Sequence, residues 1–443
     1  MTPQERLAQC GAAIPEILIP NQDTNPEQWA VIACDQFSSE RAYWEDVAKT
    51  VGDAPSTLNL IIPECYLEDG DKEERVNRAN ASMEEVLSSG ALKTLKPGFV
   101  LVNRSTPHAP SRKGLVIAVD LEAYDFAEGS KSAIRPTEGT IRDRLPPRMD
   151  IRRDAGLDLP HILLLIDDPE DSVMKAAEYA AIETVYDFDL MQNGGHIQGQ
   201  FIPEEALAPV AQAFQALATR SNLIFAVGDG NHSLASAREI WREKKAAGAP
   251  MNHPARYALA EVENIHDAGM HFHPIHRVLF GVNPAQASKE IAQALQAKVQ
   301  KVDSGAQSFG VLGAHSQEMG AVLGVVPVSQ DSNGSTGGGL GEEVWSFPIP
   351  QGRLSVEPLQ DVLDDFLSTH PEASIDYIHG DDAVRELTGA AHDRLGIILP
   401  ELDKNSFFTR ITDVGPYPRK TFSIGEAVEK RYYLEARVLK SEF

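Results

Sequence analysis

The sequence predicts an α/β protein with mixed sheets, folded as two lobes, and three observations carry that prediction. Short apolar runs alternate with segments of helical periodicity along most of the chain. Several of these runs, such as Leu115-Val116-Ile117-Ala118-Val119, are continuous rather than alternating, as in strands buried on both faces. The chain has 443 residues, too many for one ordinary core.

The elements follow in order. Residues 29–34 read as a strand, and Ser38 or Ser39 as the cap of a helix running to about Thr50. Residues 58–62 read as a strand closed by Pro63, and 72–88 as a helix with a polar face. Strands are expected at 99–103, 115–121 and 161–166, the last ending at Asp167-Asp168-Pro169 before a helix to about Ala181. Strands at 183–188 and 195–201 precede a helix at 203–217 with Pro203 in its first turn. Residues 223–227 are a strand, and a helix begins just after Gly230.

We place the first lobe at 1–280 and the second at 281–443. In the second, 285–298 has helical spacing, 309–312 and 321–326 read as a strand pair, 358–366 and 381–387 as helices, and 396–399 as a strand. Residues 329–341 are Ser/Gly-rich without packing residues and are expected to form a mobile surface loop. No Gly-Lys-Ser/Thr follows Gly337-Gly338-Gly339, so a phosphate loop is not the expectation there.

Composition narrows the function classes. Apolar residues make up 42% and charged residues 24%, enough to build a sizeable core. The net charge of -25 repels phosphate backbones and anionic membranes, so neither nucleic acid nor a membrane is an expected partner. The three cysteines, Cys10, Cys34 and Cys65, form no CxxC pair, which argues against a disulfide framework or a cysteine-based zinc site and fits a reducing, cytoplasmic setting. The start of the chain, Met1-Thr2-Pro3-Gln4-Glu5, lacks the basic and apolar regions of a signal peptide. The longest apolar runs, such as 162–166, are far shorter than a membrane span.

One segment stands out as a site. Residues 223–227 are an apolar strand, and Gly228-Asp229-Gly230-Asn231-His232-Ser233 turns it into a helix. The first turn of a helix presents unpaired N–H groups to an anion at the strand's end, and glycines let the backbone approach a ligand. Asp229 can act as a base or bind a metal, and His232 can move protons near neutral pH. A capped strand-to-helix turn, the plainer reading, needs no histidine.

Three further segments carry cations or histidines. In Ile134 to Arg144, Arg135 and Arg142 can hold phosphate or carboxylate, and Glu138 can serve as a base; a solvated charged loop is the plainer reading. Four histidines fall between His266 and His276, but their spacing matches no standard zinc motif, and no metal ligand set is assigned. His276-Arg277 reads better as an anion-binding pair. Tyr417 to Phe422 places Arg419 and Lys420 together in an acidic chain. Near the N-terminus, Cys34 lacks a visible activating partner, so Asp35 is the better ligand-facing candidate.

The chain resembles the bacterial and archaeal family called domain of unknown function 1015. The resemblance rests on residues 31–37, 160–168, 228–233 and 274–277 and on Pro418-Arg419-Lys420-Thr421, in the right order. The family's commoner motif is Asp-Gly-His-His-Arg. Its aspartate, glycine and second histidine fall on Asp229, Gly230 and His232, while Asn231 and Ser233 replace its first histidine and its arginine. That turn is similar to the phosphate-binding turn of the ParB and sulfiredoxin superfamily, whose free-serine kinases carry Asp-Gly-His-Thr-Arg. The similarity implies that Asp229 and His232 act on a transferred phosphoryl group and that Glu138 is the base. Thr137, Gly228, Gly230, Asn231, Ser233 and His276 would contact the cofactor. Arg135, Arg277 or Lys420 would stand in for the missing arginine.

The expected function is therefore a phosphotransferase acting on a small hydroxylated metabolite such as serine, with ATP or ADP and magnesium. The expected partner is a small anionic or phosphorylated ligand. The alternatives are a metal-dependent phosphatase or hydrolase using Asp229, His232 and His276, and a non-catalytic binding module for an anionic metabolite. Residues 135–138, 229–233, 276–277 and 420 are expected to converge on one cleft.

Overall fold

The computed structural model describes residues 1–302, 319–327, 340–350 and 352–440. The strand expected at 309–312 lies outside these residues, as does the Ser/Gly-rich stretch apart from Leu340 and Gly341. The chain divides into two compact units: Met1–His271 together with Gly425–Phe443, and Phe272–Ile424. The first unit is thus discontinuous in sequence.

The first unit is built on a mixed sheet. Its strands are β1 (Ala12–Ala13), β2 (Gly98–Ser105), β3 (Arg112–Asp120), β4 (Ile134–Pro136), β5 (Leu163–Ile166), β6 (Glu183–Leu190), β7 (Gly195–Pro203), β8 (Phe225–Asp229) and β9 (Tyr257–Asn264). They lie in the order β6-β7-β2-β3-β9-β5-β8-β4, with β1 added beside β3. The pairs β9/β5 and β8/β4 are parallel and β5/β8 is antiparallel.

The continuous apolar runs are explained by this arrangement. Phe99, Leu101, Leu115, Ile117 and Val119 enter one apolar layer, while Val100, Val102 and Val116 enter the other. The sheet is covered on both faces, so both side-chain sets must be apolar. Helix Ala208–Arg220 closes one layer with Val210, Ala211, Phe214 and Leu217 buried. Val210, Phe214 and Leu217 each contribute roughly 1.5–3 kcal/mol by burial.

Several local expectations change. The helix expected at 203–217 begins at Ala208 with Pro209 in its first turn, while Pro203 ends β7, and Glu40 rather than Ser38 or Ser39 precedes helix Arg41–Val51. Residues 58–62 are not a strand: Thr57–Leu60 is a 3-10 turn. Ser56 accepts from the Leu58 N–H, and the buried Thr57 hydroxyl donates to the Trp29 carbonyl at 2.8 Å. Side-chain bonds to the backbone have displaced the extended conformation that the apolar run suggested. The expected strand at 29–34 is shorter, because Pro26–Trp29 is a helical turn capped by Asn25 and only Val31–Ile32 forms a strand.

The second unit is an antiparallel sheet in the order Lys298–Val302, Leu340–Pro348, Met319–Pro327, Arg394–Ile398, Phe272–Phe280, Ser374–His379, with Phe422–Ile424 added beside Phe272–Phe280. Helices Pro284–Ala294 and Val356–Thr369 bury Ile291, Leu359 and Leu363 against Trp345 and Phe347. Among the described residues, no helix is long and apolar enough to cross a membrane.

Candidate functional site

Strand β8 delivers the site. It ends at Asp229, and helix Asn231–Ala246 follows after Gly230. Gly230 has φ +76, and a Cβ there would stand 3.0 Å from the Ile162 Cα. Both the left-handed backbone and the close approach of the neighbouring strand call for glycine. Asp229 lies opposite Leu163 in the β8/β5 ladder, so residues 161 and 162 meet the start of the helix.

The parallel partner β4 brings in the second predicted segment. Val227 is paired with Pro136. The buried Thr137 hydroxyl donates to the Val227 carbonyl at 2.7 Å, which fixes the chain one residue before Glu138. The Ile141 N–H donates to His232 Nε2 at 3.3 Å. A neutral His232 ring therefore carries its proton on Nδ1. Thr137, Glu138, Asp229, Gly230 and His232 thus belong to one end of one sheet, the carboxyl end of two parallel strands. Gly228 is half-buried within β8, and Asn231 at the start of the helix has a buried side-chain oxygen without a hydrogen-bond partner.

The C-terminal segment completes this cluster. Tyr432–Tyr433 pairs with Val31–Ile32, and the Ala33 N–H donates to the Arg431 carbonyl. This places Lys430 Nζ 3.1 Å from Asp229 Oδ2. Burial alone would raise the Asp229 pKa, but Lys430, His161 and the Gly230 N–H hold it below the usual carboxylate range.

A hydrogen-bonded chain runs beside the turn. Ser233 Oγ lies 3.0 Å from His161 Nε2, His161 Nδ1 lies 2.7 Å from the Tyr433 hydroxyl, and that hydroxyl donates to Cys34 Sγ at 3.1 Å. The Tyr433 hydroxyl, which donates to Cys34 Sγ, accepts from the Cys34 N–H at 3.3 Å and from His161 Nδ1–H, which leaves Nε2 to accept from Ser233. Asp35 Oδ2 is 3.9 Å from the same Nε2. Burial pushes the Cys34 thiol up to about 12, with Asp35 adding to the effect. It stays a protonated thiol and not a nucleophile.

Arg135, in the same unit, bonds elsewhere. Arg135 is buried; its guanidinium donates to Asn222 Oδ1 at 2.8 Å and to the Ser130 carbonyl at 3.3 Å. Asn222 precedes β8, at the end of the strand away from Asp229. His276, Arg277 and Lys420 belong to the second unit. His276 Nε2 meets Asp381 Oδ1 at 3.0 Å, and its Nδ1 accepts the Leu399 N–H. Arg277 bonds to Gln360 Oε1 and to the Ile275 carbonyl. Arg277 and Lys420 both approach the Tyr377 ring, at 5.2 and 6.0 Å from its centroid.

Sequence reasoning missed His161, Lys430 and Tyr433. His161 lay inside a segment shared with the family but was given no role. Lys430 and Tyr433 sit in Glu429-Lys430-Arg431-Tyr432-Tyr433, whose basic pair and paired tyrosines were the only available signal. Among the described residues, no group of three His, Cys, Asp or Glu side chains is placed to hold a metal ion.

The chain is similar, at long range, to several solved structures. A conserved hypothetical protein from Pyrococcus furiosus shares 10% identity, with 72% of this chain and 90% of that one covered and a TM-score of 0.35. A free serine kinase in complex with AMP shares 11%, with 73% and 92% covered and a TM-score of 0.39. SbnI with a C-terminal truncation, from Staphylococcus aureus, shares 10%, with 70% and 82% covered and a TM-score of 0.33. Likenesses this distant decide nothing about chemistry. No curated protein matches the chain. The sequence does match, over residues 18–364, the family described as "Protein of unknown function (DUF1015)", and the chain belongs to that family.

Proposed function

We propose that this protein transfers a phosphoryl group to a small hydroxylated metabolite at the turn that follows β8. The reading rests on the Asp229–Lys430 pair at the first turn of helix Asn231–Ala246, with His232 in that turn and the β4/β8 pairing carrying the chain at Glu138 to the same strand end. The arrangement offers what phosphoryl transfer needs: a base, cationic or N–H groups for phosphate oxygens, and fixed positions for both.

Each residue has a role. Glu138 takes the proton of the attacking hydroxyl while its oxygen bonds to phosphorus and the bond to the leaving group breaks. Lys430, the first-turn N–H groups and His232 Nδ1–H meet the phosphate oxygens. Asp229 orients Lys430 and stays ionised at neutral pH, because its pKa is lowered. Asn231, Ser233 and the backbone at Gly228 and Gly230 line the approach to the helix. ATP or ADP is the proposed donor. The two carboxylates so close to phosphate call for a divalent cation, and magnesium brought in with the donor would supply it. We place the protein in the cytoplasm on its charge and cysteine content.

Phosphorus NMR tests this directly. The protein is incubated with magnesium and ATP or ADP, with and without serine and a pooled metabolite extract. The expected result is a new phosphomonoester signal that Glu138→Gln reduces by about 100-fold or more. Silent spectra with every donor would overturn phosphoryl transfer in favour of a binding module.

A further inference from the structure

A second feature lies beside the turn and is not needed to hold phosphate: a cavity of about 130 Å³ within the first unit. One side of it is polar, formed by Asp35, His161, Ser233 and Tyr433. Most of the remaining lining is aliphatic, with Leu60, Ile62, Met83, Ile151, Leu159 and Ile162 among its walls. Glu64 and Arg148 pair with each other at this cavity, and Arg152 pairs with Asp158.

From this lining we infer that the cavity is the acceptor pocket and that it selects a hydroxylated metabolite with an apolar body larger than that of serine. The inference rests on the proposed site and deepens it. The lining holds two carboxylates, Asp35 and Glu64, and two guanidiniums, Arg148 and Arg152, so its charges balance and offer a polyphosphate no net attraction. The donor belongs at the turn, where Lys430 stands. Glu64 and Arg148 are spent on each other and Arg152 on Asp158, while Asp35, His161, Ser233 and Tyr433 are neighbours, so a ligand can meet that cluster with a single polar end. The aliphatic walls gain only if the other end is apolar. The whole cavity, at about 130 Å³, is a little smaller than the ~150 Å³ that takes benzene, which bounds the apolar body at about one ring.

The polar side also orients the hydroxyl. Ser233 and His161 are hydrogen-bonded to each other, and His161 is held from behind by Tyr433. A hydroxyl entering between them and Asp35 would find both a donor and an acceptor. Ser233 also sits in the first turn of the helix that begins after Asp229, so this end of the pocket adjoins the turn assigned to phosphate.

Isothermal titration of the full chain with serine, threonine and 3-phenylserine, without any phosphoryl donor, tests the assignment. These probes share a 2-amino-3-hydroxy acid head and differ in apolar body. Affinity should rise about fourfold from serine to threonine and roughly tenfold to a hundredfold from serine to 3-phenylserine. Ile151→Gln, a half-buried helix position, should remove most of the gain of 3-phenylserine over serine. An affinity that is flat or falls with body size, or a gain that survives Ile151→Gln, overturns the acceptor-pocket assignment. Because no donor is present, that outcome leaves phosphoryl transfer to its own assay, and silent phosphorus spectra would leave this binding series intact.

Discussion

At the end of β8, Asp229 pairs with a lysine from the C-terminal segment while keeping 26% of its side-chain surface exposed, and the residues around it border a cavity. In the strand Phe272–Phe280, His276 and Arg277 are 1% and 0% exposed and direct their polar atoms to Asp381, Leu399, Gln360 and Ile275. As sequence the two segments look alike, each placing histidine beside other polar groups on an apolar strand. As structure, one presents its groups at a strand end and the other spends them within the fold. A buried polar group must be paired or it costs stability. The bonds of His276 and Arg277 meet that demand inside the second unit. The half-exposed groups of the turn face no such demand and can turn to a ligand.

Removing Lys430 should break the first region most. Lys430→Met takes away the cation that lowers the Asp229 pKa. Phosphoryl transfer at neutral pH should fall by about tenfold or more. The acid limb of the pH-rate profile should move to higher pH, because a carboxylate without its cation ionises later. Stability should shift in the same sense. In the unaltered protein, the lowered pKa of Asp229 contributes stability above its unfolded value near 4, lost as pH falls through the folded value. The variant should lack that contribution. An unmoved acid limb would separate Asp229 from the reaction.

His276→Ala sharpens the second region. It strips Asp381 and the buried Leu399 N–H of a partner, and the expected cost is roughly 2–4 kcal/mol in urea denaturation. The rate per folded molecule should fall far less than in Lys430→Met. Unchanged stability with lost transfer would reverse the comparison and make the strand part of the reacting site.

The smallest effect is expected at Cys34. Its thiol is held protonated by burial, so iodoacetamide at pH 8 should leave it unmodified. Cys34→Ser should change the rate by less than about threefold. Rapid alkylation with loss of activity would place the thiol in the chemistry.

Much of the fold was legible because its signals are local. Continuous apolar runs marked strands covered on both faces, and Leu115 to Val119 proved to feed two apolar layers. Gly230 was legible as a turn, since a left-handed backbone calls for glycine. Where a local signal was ambiguous, a distant bond decided. Residues 57–60 coil because the Thr57 hydroxyl finds the Trp29 carbonyl, which no periodicity within the segment records.

The sequence by itself determined the alternation of strands and helices, the family, and the turn from Gly228 to Ser233, because each is written in neighbouring residues. Only the tertiary structure decided which groups surround that turn. The β4/β8 pairing brings Thr137 and Glu138 to it, and the return of residues 430–433 beside Val31–Ile32 brings Lys430 and Tyr433. Such partners are far apart in the chain and are set by which strands pair. Charge and hydrogen bonding act through space, so the chemistry of Asp229 depends on a lysine that no motif around it contains.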